Sequence, residues 1–280
     1  MENVYLISPK GAVFDNQKHC FVDGNGDPIK GQTIIFRPEA PTDYGFDVAG
    51  VDVDEMNADN ITGEGIKEGK VSFDATTNTL TLDGVTMSAE TGGLNITEFA
   101  GTTLTVKFIG ENKCENEETA FQVNNLTPLE IIICGPGSFD GNISVKNANL
   151  TVKDGATLLK PLQGGRNGET LTVDNATLKC DKYTISDFAS LTLANGMGII
   201  EPVRGYYNDQ MQELEDETGA PAWGYLIRPL TDEELAVRSI NADSSARTIY
   251  NVQGQRTGKL QRGVNVVIDE NGRTRKQLVK

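Results

Sequence analysis

Apolar and polar positions alternate in a short phrase that recurs along the middle of the chain. It stands at Leu80-Thr81-Leu82, Leu104-Thr105-Val106, Leu129-Glu130-Ile131, Leu150-Thr151-Val152, Leu171-Thr172-Val173 and Leu191-Thr192-Leu193. In each phrase the outer two residues would face one side of a strand and the central residue the other. Thr outside and Leu or Val inside suits a pleated, half-buried surface. The leading leucines are 24, 25, 21, 21 and 20 residues apart, and self-similarity at such a period predicts a solenoid.

Each phrase has companions. An upstream strand is expected at Asn95-Ile96-Thr97, Phe121-Gln122-Val123, Ile143-Ser144-Val145 and Thr184-Ile185-Ser186. Downstream, DGVTM (83–87), DGATLL (154–159), DNATLK (174–179) and ANGMGII (194–200) each read as a turn followed by a third strand. Gly and Asn open these turns because they tolerate positive φ. Three short strands per period describe one coil of a right-handed parallel β-helix, and stacked coils share one core. The expected fold is therefore all-β. The rival is an antiparallel sandwich, since residues 70–87 (KVSFDATTNTLTLDGVTM) read as a hairpin closed near Asn78. The regular spacing of a same-sense phrase favours the solenoid, with that hairpin as the lead-in to its first coil.

A stack of coils exposes strand edges at both ends, and these need caps. Two stretches, 5–38 and 198–229, resemble each other. Asp23, Gly26 and Pro28 match Asp216, Gly219 and Pro221 at an offset of 193, and Arg37-Pro38 matches Arg228-Pro229 at 191. Both read as a hairpin. The second follows the last phrase directly and is expected to close the stack. By symmetry the first is expected to be the closing hairpin of a preceding module, or else an N-terminal cap. The expected organisation is 1–38 hairpin segment, 39–230 solenoid with closing hairpin 198–229, and 231–280 tail. In the tail, Thr231 and Glu234 form a capping-box pattern for a short helix. Residues 241–247 read as a small-residue linker. Three strands follow, TIYNVQG, GVNVVIDENG and RKQLVK, with a hairpin turn at Glu270-Asn271-Gly272.

Charge sharpens the list of partners. The net charge is −15, and residues 39–125 hold 17 acidic against 4 basic side chains. Such a body repels a phosphate backbone, so nucleic acid is not an expected partner. Residues 238–280 are basic, with 9 cations against 3 acids, and read as a solvated face. No apolar run is long enough to span a membrane. The opening MENVYLISPKG lacks the basic and apolar regions of a signal peptide.

Candidate chemistry is sparse. The chain has one histidine, His19, and four cysteines, Cys20, Cys114, Cys134 and Cys180, with no CxxC pair. A Cys/His metal site or nucleophile is not expected; Cys114, Cys134 and Cys180, all in the repeat region, read as core residues, with a disulfide as the alternative. DGNGD at Asp23, Asn25 and Asp27 imitates half a calcium loop, but Pro28 stands where glycine is needed and Ile34 where an acid is needed. Asp52, Asp54, Glu55 and Asp59 read as a solvated acidic face. No metal or cofactor is expected. The richest aromatic cluster is Tyr206, Tyr207, Trp223 and Tyr225, on the arms of the second hairpin. It is either an ordinary cross-strand aromatic group or a ligand platform. Asn60, Asn95, Asn125, Asn142, Asn149 and Asn175 begin N-x-S/T triplets, which asparagine turns followed by alternating strands would produce in any case.

Two segments resemble known proteins. YGFDVAGVDVDEMNADNITGEG (44–65) with GKVSFDATTNTLTLDGVTM (69–87) is similar to the opening of a secreted β-helix module of gut Bacteroidetes and Firmicutes, of the carbohydrate-binding-like type. TIYNVQGQRTGKLQRGVNVVIDENGRTRKQLVK (248–280) resembles the C-terminal domain of secreted Bacteroidetes proteins, similar to the sorting domain read by type IX secretion. The resemblance implies a secreted or cell-surface life and no catalytic residues. The expected function is a non-catalytic binding or adhesion module, with a glycan or another cell-surface molecule as ligand through Tyr206, Tyr207, Trp223 and Tyr225. The alternatives are a structural spacer without a ligand and a polysaccharide-active β-helix enzyme.

Overall fold

The computed structural model describes residues 4–9, 11–88, 90, 92–115, 120–235, 248–251, 255–257, 260, 262–268 and 274–279. The described residues are all-β apart from one short helix. It divides into two compact units, Met1–Pro229 and Leu230–Lys280.

In the first unit the recurring phrases pair in parallel, in sequence order, through Thr79–Met87, Thr103–Ile109, Phe121–Cys134, Ile143–Lys153, Thr170–Asp174 and Ser190–Leu193. This is the first ladder. A second parallel ladder runs from the end of Thr79–Met87 through Glu111–Cys114, Ser138–Asp140, Thr157–Leu158 and Thr177–Cys180. A third joins Leu94–Ile96 to the first halves of Phe121–Cys134 and Ile143–Lys153, then Leu162–Gln163 and Ser186. With flanking antiparallel strands they form one mixed sheet of 17 strands. Leu80, Leu104, Val106, Ile131, Ile133, Leu150, Val152, Leu171 and Val173 are all buried in one apolar core. Leu94, Phe121, Ile143 and Leu162 join it from the third ladder, and Phe139, Leu158 and Leu178 from the second.

The register differs from a simple superposition of phrases. Leu80 lies opposite Val106 rather than Leu104, and Leu104 lies opposite Ile131 rather than Leu129. From there Ile131, Leu150, Leu171 and Leu191 align one above another. A two-residue slip leaves every side chain on its own face, because side chains alternate with period two. The slip lets the longer strand Thr103–Ile109 place Phe108 opposite Leu82, and Phe108 stacks on Phe139 with ring centroids 5.1 Å apart.

Asparagines hold the corners, Asn112 and Asn125 buried and Asn147 exposed. Asn125 accepts from the Phe99 amide (2.8 Å) and donates to the Phe99 carbonyl (3.1 Å). Asn147 donates to the Asn125 carbonyl (2.8 Å), and its own amide donates to Glu169 Oε1 (2.9 Å). At another corner Asn112 accepts from the Val85 amide (2.9 Å) and donates to the carbonyls of Ile109 and Ser138. These side chains pair main-chain groups that the bending chain leaves without a ladder partner. Neighbouring segments approach so closely that a Cβ on Gly93 would lie 1.8 Å from the Ala120 carbonyl oxygen.

Antiparallel strands stand at both ends. Ile66–Asp74 pairs with Thr79–Met87 across a turn in which Asn78 has φ of 51°. Asp43–Val48 pairs with Leu94–Ile96, placing Phe46 opposite Ile96. At the far end Tyr225–Pro229 pairs with Thr177–Cys180, placing Ile227 opposite Leu178, and Glu213 bridges to Ser186. Residues 198–229 therefore close the second and third ladders.

The two hairpins match as structures. Val13–Asp15 pairs with Cys20–Val22 as Tyr206–Asn208 pairs with Glu213–Glu215, with Phe14 opposite Phe21 and Tyr207 opposite Leu214. Tyr5–Ser8 pairs with Ile35–Arg37 as Met197–Glu201 pairs with Tyr225–Pro229, and each pair carries a register shift at the same place. Gly26 donates to the Asp23 carbonyl (2.9 Å) and Gly219 to the Asp216 carbonyl (3.1 Å). Glycine is required at both turns, with φ of 80° and 83°.

The second unit begins with the expected capping box. The Thr231 amide donates to Glu234 Oε2 (2.8 Å), and the Glu234 amide donates to Thr231 Oγ1 (3.3 Å). The tail sheet has four strands in the order Arg256–Thr257, Thr248–Asn251, Gly263–Ile268, Thr274–Val279, one more than the sequence suggests. The linker at 241–247 and the turn at 270–272 lie outside the described residues.

Candidate functional site

The aromatic cluster on the second hairpin separates into structural and exposed members. Tyr225 is fully buried and donates from its hydroxyl to the Lys160 carbonyl (3.0 Å). The half-buried Tyr207 donates to the Phe188 carbonyl (2.8 Å) and accepts from the Phe188 amide (3.2 Å). Burial pushes both phenols up, so both stay protonated donors. Through these bonds the two tyrosines anchor the hairpin to Phe188 and Lys160.

Tyr206 is 45% exposed, with its hydroxyl donating to Glu215 Oε2 (2.6 Å). That hydrogen bond is the leading cause that raises the Tyr206 phenol. Trp223 is 87% exposed and is the only tryptophan in the chain. The indole stands at an open groove of about 400 Å³, lined also by Pro202, Pro221, Asp181, Glu201 and Asp216. Tyr206 is not part of that lining. The four predicted aromatics are thus not one flat platform: Trp223 alone faces the groove.

Of the three carboxylates, Asp216 is engaged by its own turn. Its Oδ1 accepts from the Thr218 hydroxyl (2.6 Å), the Thr218 amide (2.8 Å) and the Ala220 amide (3.2 Å). Those bonds, led by the Thr218 hydroxyl, hold its carboxyl below the usual range. Asp181 and Glu201 are exposed. The groove thus combines an apolar indole and two proline rings with outward carboxylates.

The internal repeat isolates what is special here. The first hairpin has Pro9 and Pro28 where the second has Pro202 and Pro221, but Lys30 where the second has Trp223. The hairpin forms equally with Lys30, so the indole is not needed to fold it.

A second groove of similar size lies between Pro128, Leu129, Asn149 and Glu169. Its polar groups are consumed internally. Asn149 donates to Glu130 (2.7 Å) and accepts from the Thr170 amide and hydroxyl (3.0 Å each). Glu169 accepts from the amides of Asn147 and Asn167.

The other sequence candidates fall into structural roles. The Asp23 carboxylate accepts from the amides of Asn25 and Asp27 (2.9 Å each). Asp54 caps Met56 and Asn57, and Glu55 pairs with Arg37 at 2.5 Å. Cys114 and Cys180 are buried in the core, whereas Cys134 is only partly buried, and all three are thiols rather than disulfides. Among the described residues no cluster of three or more His, Cys, Asp or Glu could hold a metal, and no helix is long and apolar enough to cross a membrane.

Sequence reasoning passed over the corner network of Asn112, Asn147 and Glu169. Polar residues at turns read as solvated, and only the pairing of the strands shows what lies under them. Compared with protein-family models, curated proteins and solved structures, the chain matches none of them.

Proposed function

We propose that residues 39–230 form a right-handed parallel β-helix, and that the chain is a non-catalytic extracellular or cell-surface binding module with glycans as its ligand class. The order of the three parallel ladders supports the architecture. Trp223 carries the functional reading. An indole that is 87% exposed, at a position where the sister hairpin has lysine, has no packing role to explain it. An indole face suits the apolar face of a sugar ring, and Asp181 and Glu201 can accept hydrogen bonds from sugar hydroxyls. A few placed polar groups beside an apolar surface are the usual make-up of a ligand site.

The test is a glycan array with the full chain and Trp223→Lys, which copies the first hairpin. Retention of a glycan class by the natural chain and its loss in the variant supports the reading. Equal retention by both overturns the site, and release of products from any polysaccharide overturns the non-catalytic assignment. A spacer that presents other modules is the second reading, favoured by the bare face of the first hairpin.

A further inference from the structure

The second hairpin shows what such a hairpin is shaped to cover, and the first is built alike with that face open. In the second, Ile227 lies opposite Leu178, Leu214 is fully buried, and Tyr207 bonds to Phe188 of the coil below. The strand Tyr225–Pro229 pairs on both sides, with Met197–Glu201 and with Thr177–Cys180.

In the first, the residue matching Ile227 is Phe36, which is 48% exposed, and the residue matching Tyr207 is Phe14, which is 50% exposed. Both rings pack edge-on against Phe21, the match of Leu214, at 5.8 and 5.2 Å between centroids. The strand Ile35–Arg37 pairs only with Tyr5–Ser8 among the described residues, so its other edge is free. The near end of this chain's own stack is already paired with Asp43–Val48 and Ile66–Asp74. An apolar face and an open strand edge on the same hairpin are what β-augmentation uses.

We propose that residues 5–38 form a docking cap for the open far end of another parallel coil stack of this same build. In it, Ile35–Arg37 would add antiparallel to that stack's last second-ladder strand, and Phe36 and Phe14 would take the places of Ile227 and Tyr207. The occupant is identified by the internal repeat, because the matching hairpin of the same chain seats on such an end. The inference does not depend on glycan binding.

The test replaces residues 198–229 of the full chain with a second copy of 5–38. The expected result is a folded chain in which Phe36→Asp acts by position. At the transplanted copy it should lower the melting temperature by about 10 °C or more, as a buried charge does, and at the original N-terminal copy it should change it by less than about 2 °C. A chain that fails to fold, or one in which both positions respond alike, overturns the proposal. So does a dimer of the natural chain that Phe36→Asp abolishes, because the face would then pair with itself.

Discussion

The side-chain amide of Asn147 donates a 2.8 Å hydrogen bond to the main-chain carbonyl of Asn125, its counterpart 22 residues earlier. Asn125 in turn clasps the amide and carbonyl of Phe99. The corner is thus a row of side chains, each satisfying main-chain groups 22 or 26 residues earlier in the chain. Replacing Asn125 with Leu would leave the Phe99 amide and carbonyl without that partner inside the protein. The expected cost is about 1–3 kcal/mol per unsatisfied group, read as a lower midpoint in urea unfolding. An unchanged midpoint would show that the row is incidental.

Ile131 and Ile132 are neighbours in sequence and opposite in environment. Ile131 is buried between Leu104 and Leu150, whereas Ile132 faces outward and is half-buried. Ile131→Ala is expected to cost about 2–5 kcal/mol, the usual range for a core truncation. Ile132→Ala should cost clearly less. Chemical denaturation of the two variants checks the assignment of faces, and equal losses would contradict the register.

Asp187 gives the first unit an acid-sensitive point. Burial raises its carboxyl, but hydrogen bonds from Gln163 and Arg166, the Arg166 charge and a bond from Ser186 together outweigh burial and hold it below the usual carboxylate range. A group depressed on folding contributes stability above its unfolded value near 4, and that contribution is lost as pH falls through the folded value. Asp187→Asn should therefore destabilise the protein at pH 7, by about 1–3 kcal/mol, and this deficit should shrink below pH 4. Denaturation curves of both proteins across pH 2–7 measure it. A deficit that persists unchanged at pH 2 would contradict the assignment.

The two exposed and two anchored aromatics of the second hairpin should separate on mutation. Tyr225→Ala is expected to destabilise by about 3–5 kcal/mol, as aromatic core truncations do. Trp223→Ala should stay within about 0.5 kcal/mol of the natural chain, as surface changes do. Parallel thermal melts decide it. A large loss at Trp223 would mean that the indole packs rather than waits for a ligand.

The strands of the first ladder were legible because Leu80 to Leu193 alternate strictly and recur at a near-constant step. The hairpin at Asn78 and the glycine turns were legible for the same local reason. Pairing register was less so: a slip of two residues preserves every face, so the phrase alone does not choose between Leu104 and Val106 as the partner of Leu80. The two-residue strand Leu162–Gln163 carries no period at all and is visible only through its pairing with Ile143–Ser144. At the candidate site, aromatic content pointed to the right hairpin but not to the right member. Tyr225 and Trp223 are two residues apart, and only packing separates the anchor from the exposed ring.

The proposed glycan site stands or falls with Trp223 as a ligand-contacting residue. As the only tryptophan, it alone supplies the protein's indole fluorescence, so an emission titration reads this site directly. The free chain should emit at the long wavelength of a water-exposed indole. Addition of a glycan that the chain retains should shift the emission to shorter wavelength and saturate with the binding curve. A retained glycan that leaves the emission spectrum unchanged throughout the titration would show that Trp223 does not touch the ligand.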